Sequence, residues 1–220
     1  MLEALAMANL AVSIGLMIWS IVDVNRRPPP MTVMKWVWPL TFLWGGFFAL
    51  AMYLWFGRAS PGAASKYDKR PMWQSVALGA THCGAGCSLA DLLVEGGMFV
   101  LGFAFVVCGE KVFGNWIIDY IAALALGIAF QYAALAPMSD EPGAGVAWKA
   151  FKSDVLSLSC WQAGMYGWMA ISIFVLFGPE TVRPDHWLFW WMMQVAMVCG
   201  FITAYPVNWL LIRTGVKHAM

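Results

Sequence analysis

The sequence predicts an all-α, polytopic transmembrane helical bundle, and three observations carry that expectation. Of 220 residues 61% are apolar and only 11% charged, where a soluble domain carries about 25% charged residues. The apolar residues gather into runs long enough to cross a bilayer, which takes about 20 residues each. Polar segments rich in Gly and Pro separate those runs. A net charge of +1 with no basic stripe argues against nucleic-acid binding. Residues 1–220 therefore read as a single integral membrane domain in a lipid bilayer.

The elements follow in order. Span one runs from Leu2 to Val22 and ends at Asp23, before Asn25, Arg26, Arg27 and three consecutive prolines at 28–30 that cannot continue a helix. Glu3 stands where a signal peptide would carry basic residues, so this run is kept as a mature helix. Span two runs from Val33 to Phe56, with Pro39 near its start, and a polar loop follows from Gly57 to Arg70. The stretch from Met72 to Cys108 is too long for one crossing, because an unbroken helix of that length would reach about 55 Å. A break at Gly84 and Gly86 is expected, making residues 71–87 a broken or re-entrant segment. A fresh third span then starts at Ser88, where Ser88-Leu89-Ala90-Asp91 has the pattern of a capping box. Span four covers about Asn115 to Ala136 and stops at Pro137, span five Lys152 to Phe177, and span six Trp187 to Ile212.

Orientation follows the distribution of Lys and Arg. Eight of them (Arg58, Lys66, Lys69, Arg70, Lys149, Lys152, Arg213, Lys217) fall on one side of the bilayer and five (Arg26, Arg27, Lys35, Lys111, Arg183) on the other. The richer side is expected to be cytoplasmic and to hold both termini.

Ionisable groups inside spans are costly, so each is a functional candidate until explained. With alternating span directions, His82, Cys83, Cys87, Asp91 and Glu95 at the start of span three share a layer with Gln131, with Asp154, Ser157 and Gln162, and with Asn208. The sharpest motif in it is Thr81-His82-Cys83-Gly84-Ala85-Gly86-Cys87. Thiolate and imidazole suit Cu(I) or Zn(II), and only zinc normally demands four ligands, which places copper ahead of zinc. The metal set expected from sequence is His82, Cys83 and Cys87, with Asp91 or Glu95 as a further ligand or a proton acceptor. Two other readings stand beside it. Cys83 and Cys87 also suit helix packing, and a dithiol couple would use the same sulfurs.

Asp91 equally suits a helix cap, with Glu95 paired to Lys149 or Lys152. Asp119 is assigned to Arg183 or Lys111 at the opposite face. Among 15 Met residues, Met165, Met193 and Met197 suit either packing or a thioether relay for a soft ion. Single cysteines at 108, 160 and 199 read as packing residues.

Several blocks together resemble a known family. They are Asp23 to Arg27, Met34 to Thr41, Gly57-Arg58, Trp73-Gln74, His82 to Cys87, Phe130-Gln131-Tyr132, Ala136-Pro137-Met138, Gln162 to Met169, and Tyr205-Pro206-Val207-Asn208-Trp209. They resemble the bacterial membrane-protein family DUF4396, over nearly the whole chain. The resemblance implies a polytopic protein of a bacterial inner membrane with no assigned function. Relatives labelled as copper oxidases tilt it towards copper. This chain shows no cupredoxin segment, so the tilt is towards copper handling, with a copper protein or oxidase-type partner.

The expectation is thus an inner-membrane protein that binds a soft metal ion for transport or delivery, with no catalytic residue readable. The alternatives are a membrane dithiol/quinone oxidoreductase using Cys83 and Cys87, and a structural or assembly subunit of a larger membrane complex.

Overall fold

The computed structural model describes residues 1–59, 70–103, 105–136, 139 and 143–217. The loop expected around 60–69, the stop at Pro137 and His218 lie outside the described residues. Six helices are long and apolar enough to cross a membrane. They are α1 (Leu2–Arg26), α2 (Met34–Met52), α3 (Met72–Leu101), α4 (Lys111–Leu135), α5 (Gly143–Ile171) and α6 (Trp187–Arg213). Wider π-helical turns extend α2 through Tyr53–Gly57 and α5 through Ser172–Phe177.

α3 is the central helix. It packs against α2, α4, α5 and α6, while α1 leans on α2 and α6. Every residue of α3 from Ser75 to Ser88 is buried, which requires neighbours on all sides of those turns. Small side chains make that possible. A Cβ at Gly84 would lie 2.4 Å from the Trp161 indole of α5, and one at Gly86 would lie 3.2 Å from the Gly127 backbone of α4.

These contacts correct the sequence reading of residues 71–87. No re-entrant turn forms at Gly84 and Gly86, and Ser88 starts no new helix. The two glycines are points of close approach between helices. α3 runs unbroken for 30 residues, about 45 Å of rise, which is longer than a hydrocarbon core about 30 Å thick. It stops at Gly102, whose left-handed φ of 65° ends a helix at little cost. The expected continuation to Cys108 is replaced by a tight turn in which Val107 and Glu110 exchange backbone hydrogen bonds of 3.1 and 3.0 Å. Cys108 and Gly109 both have positive φ there, and Cys108 is exposed instead of packed.

α2 carries a break of its own at Gly46 (φ 47°, ψ −121°). Where the turn is interrupted, Gln194 of α6 donates to the Leu43 carbonyl at 2.6 Å and accepts from Asn9 of α1, also at 2.6 Å. At one end of the α1–α2 pair, Arg58 grips Asp23 through two hydrogen bonds of 2.9 and 2.7 Å, and the Tyr53 hydroxyl donates to the same carboxylate at 2.8 Å. Asp23 holds the Arg58 guanidinium above its ordinary pKa.

Candidate cation site inside the bundle

Residues four apart on a helix share a face. Cys83, Cys87, Asp91 and Glu95 obey that spacing over three turns of α3, and all four are buried. The structure arranges the interior polar groups along this stripe as two clusters with Cys87 between them.

The first cluster surrounds Cys83. Its thiol lies 3.0 Å from Asp154 Oδ1 and 3.2 Å from Ser157 Oγ, both on α5. Asn208 of α6 donates to the same Ser157 hydroxyl at 2.6 Å. The fifth member is Lys217, whose ammonium reaches Cys83 Sγ at 3.2 Å and Asp154 Oδ1 at 3.3 Å. The Lys217 and Asp154 side chains have no solvent exposure. After α6 ends, Gly215 takes a φ of 74°, and the amides of Val216 and Lys217 both bond the Leu211 carbonyl at 3.0 Å. That turn folds the chain back and sends the lysine inward. Burial alone lowers the pKa of an ammonium; here the neighbouring Cys83 and Asp154 outweigh it and hold Lys217 above its ordinary value. Gly127 of α4 leaves the space into which Asp154 Oδ2 fits, 2.6 Å from where a Cβ would stand.

The second cluster lies further along α3. Asp91 and the α4 residue Asp119 are neighbouring buried carboxyl groups, and neither Asp91 oxygen has a hydrogen-bond partner among the described residues. Tyr166 of α5 donates to Asp119 at 2.8 Å, with Gln162 at 3.4 Å. Beyond it, Asn115 of α4 donates to Glu95 at 2.9 Å.

The expected single layer is thereby divided. Cys83, Asp154, Ser157 and Asn208 meet as their span directions required. Asp91, Glu95 and Gln162 belong to the other cluster, because α3 begins at Met72 and Asp91 sits in its middle instead of its first turn. Asp91 is therefore no helix cap, and Glu95 bonds Asn115 instead of a lysine. Asp119 faces inward to Asp91 and Tyr166, while Arg183 pairs with Glu180 and Asp185. His82 is buried against Phe130 of α4, with ring centroids 6.1 Å apart. Neither of its ring nitrogens has a hydrogen-bond partner among the described residues, and the same holds for both amide atoms of Gln131. Among the described residues no three His, Cys, Asp or Glu side chains converge on one point fit for a metal ion. Met165 is buried in the core. Met193 and Met197 line a cavity of about 240 Å³ between α1, α2, α3 and α6, and Asp91 lines it too.

Sequence reasoning missed Lys217 and Asp119. A lysine beyond the end of a helix reads as a solvated charge, and Gly215 is the one local signal that the chain turns back.

A family model described as a domain of unknown function, DUF4396, matches residues 72–217. The chain belongs to the DUF4396 family. The DUF4396 match begins with the first residue of α3 and ends on Lys217, so both polar clusters lie within it. α1 and α2 lie outside it, so the matched stretch is shorter than the resemblance drawn from blocks at 23–58. No curated protein and no solved structure matches the chain.

Proposed function

We propose that this DUF4396 protein binds a cation inside the membrane and moves it through the bundle, with a soft metal ion as cargo, copper(I) ahead of zinc(II). One observation carries the reading. Among the described residues four carboxyl groups (Asp91, Glu95, Asp119, Asp154) are buried along α3 and its neighbours, and one buried ammonium, Lys217, pairs with Asp154 alone of the four. Unpaired buried carboxylates are strongly unfavourable, so the surplus must be neutralised by protons or by a bound cation. A stripe of groups that require cations, set across a membrane, supports cation movement over a purely structural role.

The thiols select the class of cargo. Cys83 and Cys87 share a face of α3 a turn apart, and a soft monovalent ion accepts few ligands where zinc normally demands four. His82 turns towards α4 and Phe130, so it is no partner of Cys83 in this reading. In the proposed cycle the ion contacts Met193 and Met197 beside Asp91, is held by Cys87 and Cys83, and meets Asp154 next to Lys217. Asp91 and Asp119 take up or release a proton as it passes. Among the described residues the Cys83–Asp154 contact does not line the cavity beside Asp91, so transport or delivery is preferred to catalysis. The proposed setting is a bacterial inner membrane with both termini cytoplasmic and a copper protein as donor or acceptor.

The test is elemental analysis of protein purified without oxygen after growth with trace copper and zinc, comparing the wild type with Cys83→Ser plus Cys87→Ser. Near-stoichiometric metal in the wild type and its loss from the double variant are expected. A folded, metal-free wild type would sink the reading and shift weight to a dithiol couple or an assembly subunit.

A further inference from the structure

The cavity between α1, α2, α3 and α6 has walls unlike those of the polar stripe beside it. Trp44 of α2 and Trp187, Trp190, Met193 and Met197 of α6 give it an aromatic and thioether wall, and Ser88 and Asp91 enter from α3. Gln194 also lines it, but its amide already donates to Leu43 and accepts from Asn9. Asp91 is different. It is 3% exposed, and neither of its oxygens receives a hydrogen bond from an N–H or O–H donor among the described residues. Its ionisable neighbours are themselves carboxyl groups, Asp119 and Glu95. Lys217, the buried ammonium of the interior, is engaged elsewhere by Cys83 and Asp154.

The chemistry of a fitting occupant follows from these facts. Two acceptor oxygens without donors require a molecule that brings N–H groups. A buried carboxyl group without a donor is stabilised by a positively charged one. Aromatic faces attract cations and also bury hydrocarbon, whereas thioether and aliphatic walls exclude a hydrated ion. A carboxylate set at the end of an apolar pocket is the usual arrangement for orienting a small amphipathic ligand.

We infer that this cavity is a binding site for a lipophilic organic ammonium ion, its hydrocarbon body between Trp44, Trp187, Trp190 and Met197 and its ammonium donating to Asp91. The site excludes the thiols but shares Asp91, Met193 and Met197 with the proposed entry of the ion, and amine binding is tested without reference to metal. An amine reaches it with its apolar part in the bilayer and its charge neutralised only at the carboxyl pair.

The experiment uses the full chain in lipid nanodiscs, titrated calorimetrically with 2-phenylethylammonium against empty nanodiscs. Propylbenzene, of nearly the same shape but uncharged, is the comparison probe. Saturable binding at one site is expected, weakened roughly tenfold or more in Asp91→Asn and for propylbenzene. Met197→Trp fills the cavity while keeping the carboxyl, and it should abolish binding in a protein whose helical content is unchanged. The inference is overturned by absence of saturable binding to the wild type, by propylbenzene binding as tightly, or by binding that survives Met197→Trp. If Asp91→Asn does not fold, Met197→Trp and propylbenzene decide the matter. Metal content of the same preparations reports on the cargo reading separately, so either can fail alone.

Discussion

Replacing Lys217 by Met removes the ammonium buried in the Cys83 cluster while preserving most of the side chain's length. In the native protein its Nζ lies 3.3 Å from Asp154 Oδ1 and 3.2 Å from Cys83 Sγ, with neither charged side chain exposed. Removing one partner of such a pair leaves the other charge buried, at a cost of about 3–5 kcal/mol. Asp154 then keeps only the Cys83 thiol as a donor, for its second oxygen has no partner among the described residues. Replacing both members should behave differently, since a buried pair exchanged for neutral groups of similar volume is often neutral or stabilising. Lys217→Met is therefore expected to lose about 3–5 kcal/mol and Lys217→Met plus Asp154→Asn to recover most of it. Reversible unfolding in mixed micelles, read by circular dichroism, measures both. A single variant within about 1 kcal/mol of wild type, or a double variant no better than the single, would refute the pairing argument.

The same lysine predicts an alkaline effect. Its folded pKa lies above the ordinary lysine value, so its stabilisation is complete below about pH 10.4 and is lost as pH rises through the folded value; the wild-type advantage over Lys217→Met should stay level near neutrality and shrink only beyond about pH 10.4. Gly84→Ala places a Cβ 2.4 Å from the rigid Trp161 ring, which should cost about 1–3 kcal/mol, and an unchanged unfolding midpoint would show that α3 does not press on α5 there. Tyr166→Phe deletes the 2.8 Å donor to Asp119 and should cost about 1.5–3 kcal/mol if that carboxyl is charged, measured by the same unfolding assay. Arg58→Met strips the bidentate partner from Asp23; a loss of about 1.5–3 kcal/mol is expected, and insensitivity would mean Tyr53 suffices to hold the carboxylate.

Span count and the meeting of Cys83 with Asp154, Ser157 and Asn208 were legible because they depend on two coarse quantities, apolar run length and alternating direction. What failed depends on neighbours. Gly84 and Gly86 look like a helix break until Trp161 and Gly127 are seen against them. That one misreading moved the helix start from Met72 to Ser88, which placed Asp91 and Glu95 near one end of their span. Asp119 and Asn115 then had no visible partners there, and the second cluster was invisible as a consequence. Lys217 failed for another reason: a charge is normally solvated after a helix ends, and the return of the chain at Gly215 is a tertiary event. Family membership adds the outline of the α3–α6 segment and leaves the chemistry to the side chains.

The stripe on α3 also has an electrical meaning. From Asp91 to Cys83 the helix rises about 12 Å, about two fifths of a hydrocarbon core about 30 Å thick. A full elementary charge crossing the whole core gains or loses about 2.3 kcal/mol per 100 mV. In the proposed cycle an ion passing between Asp91 and Cys83 would therefore sample about two fifths of the transmembrane voltage drop. A proton moving the opposite way would cancel that displacement and make the proposed cycle electrically silent; without that exchange the cycle would register as current.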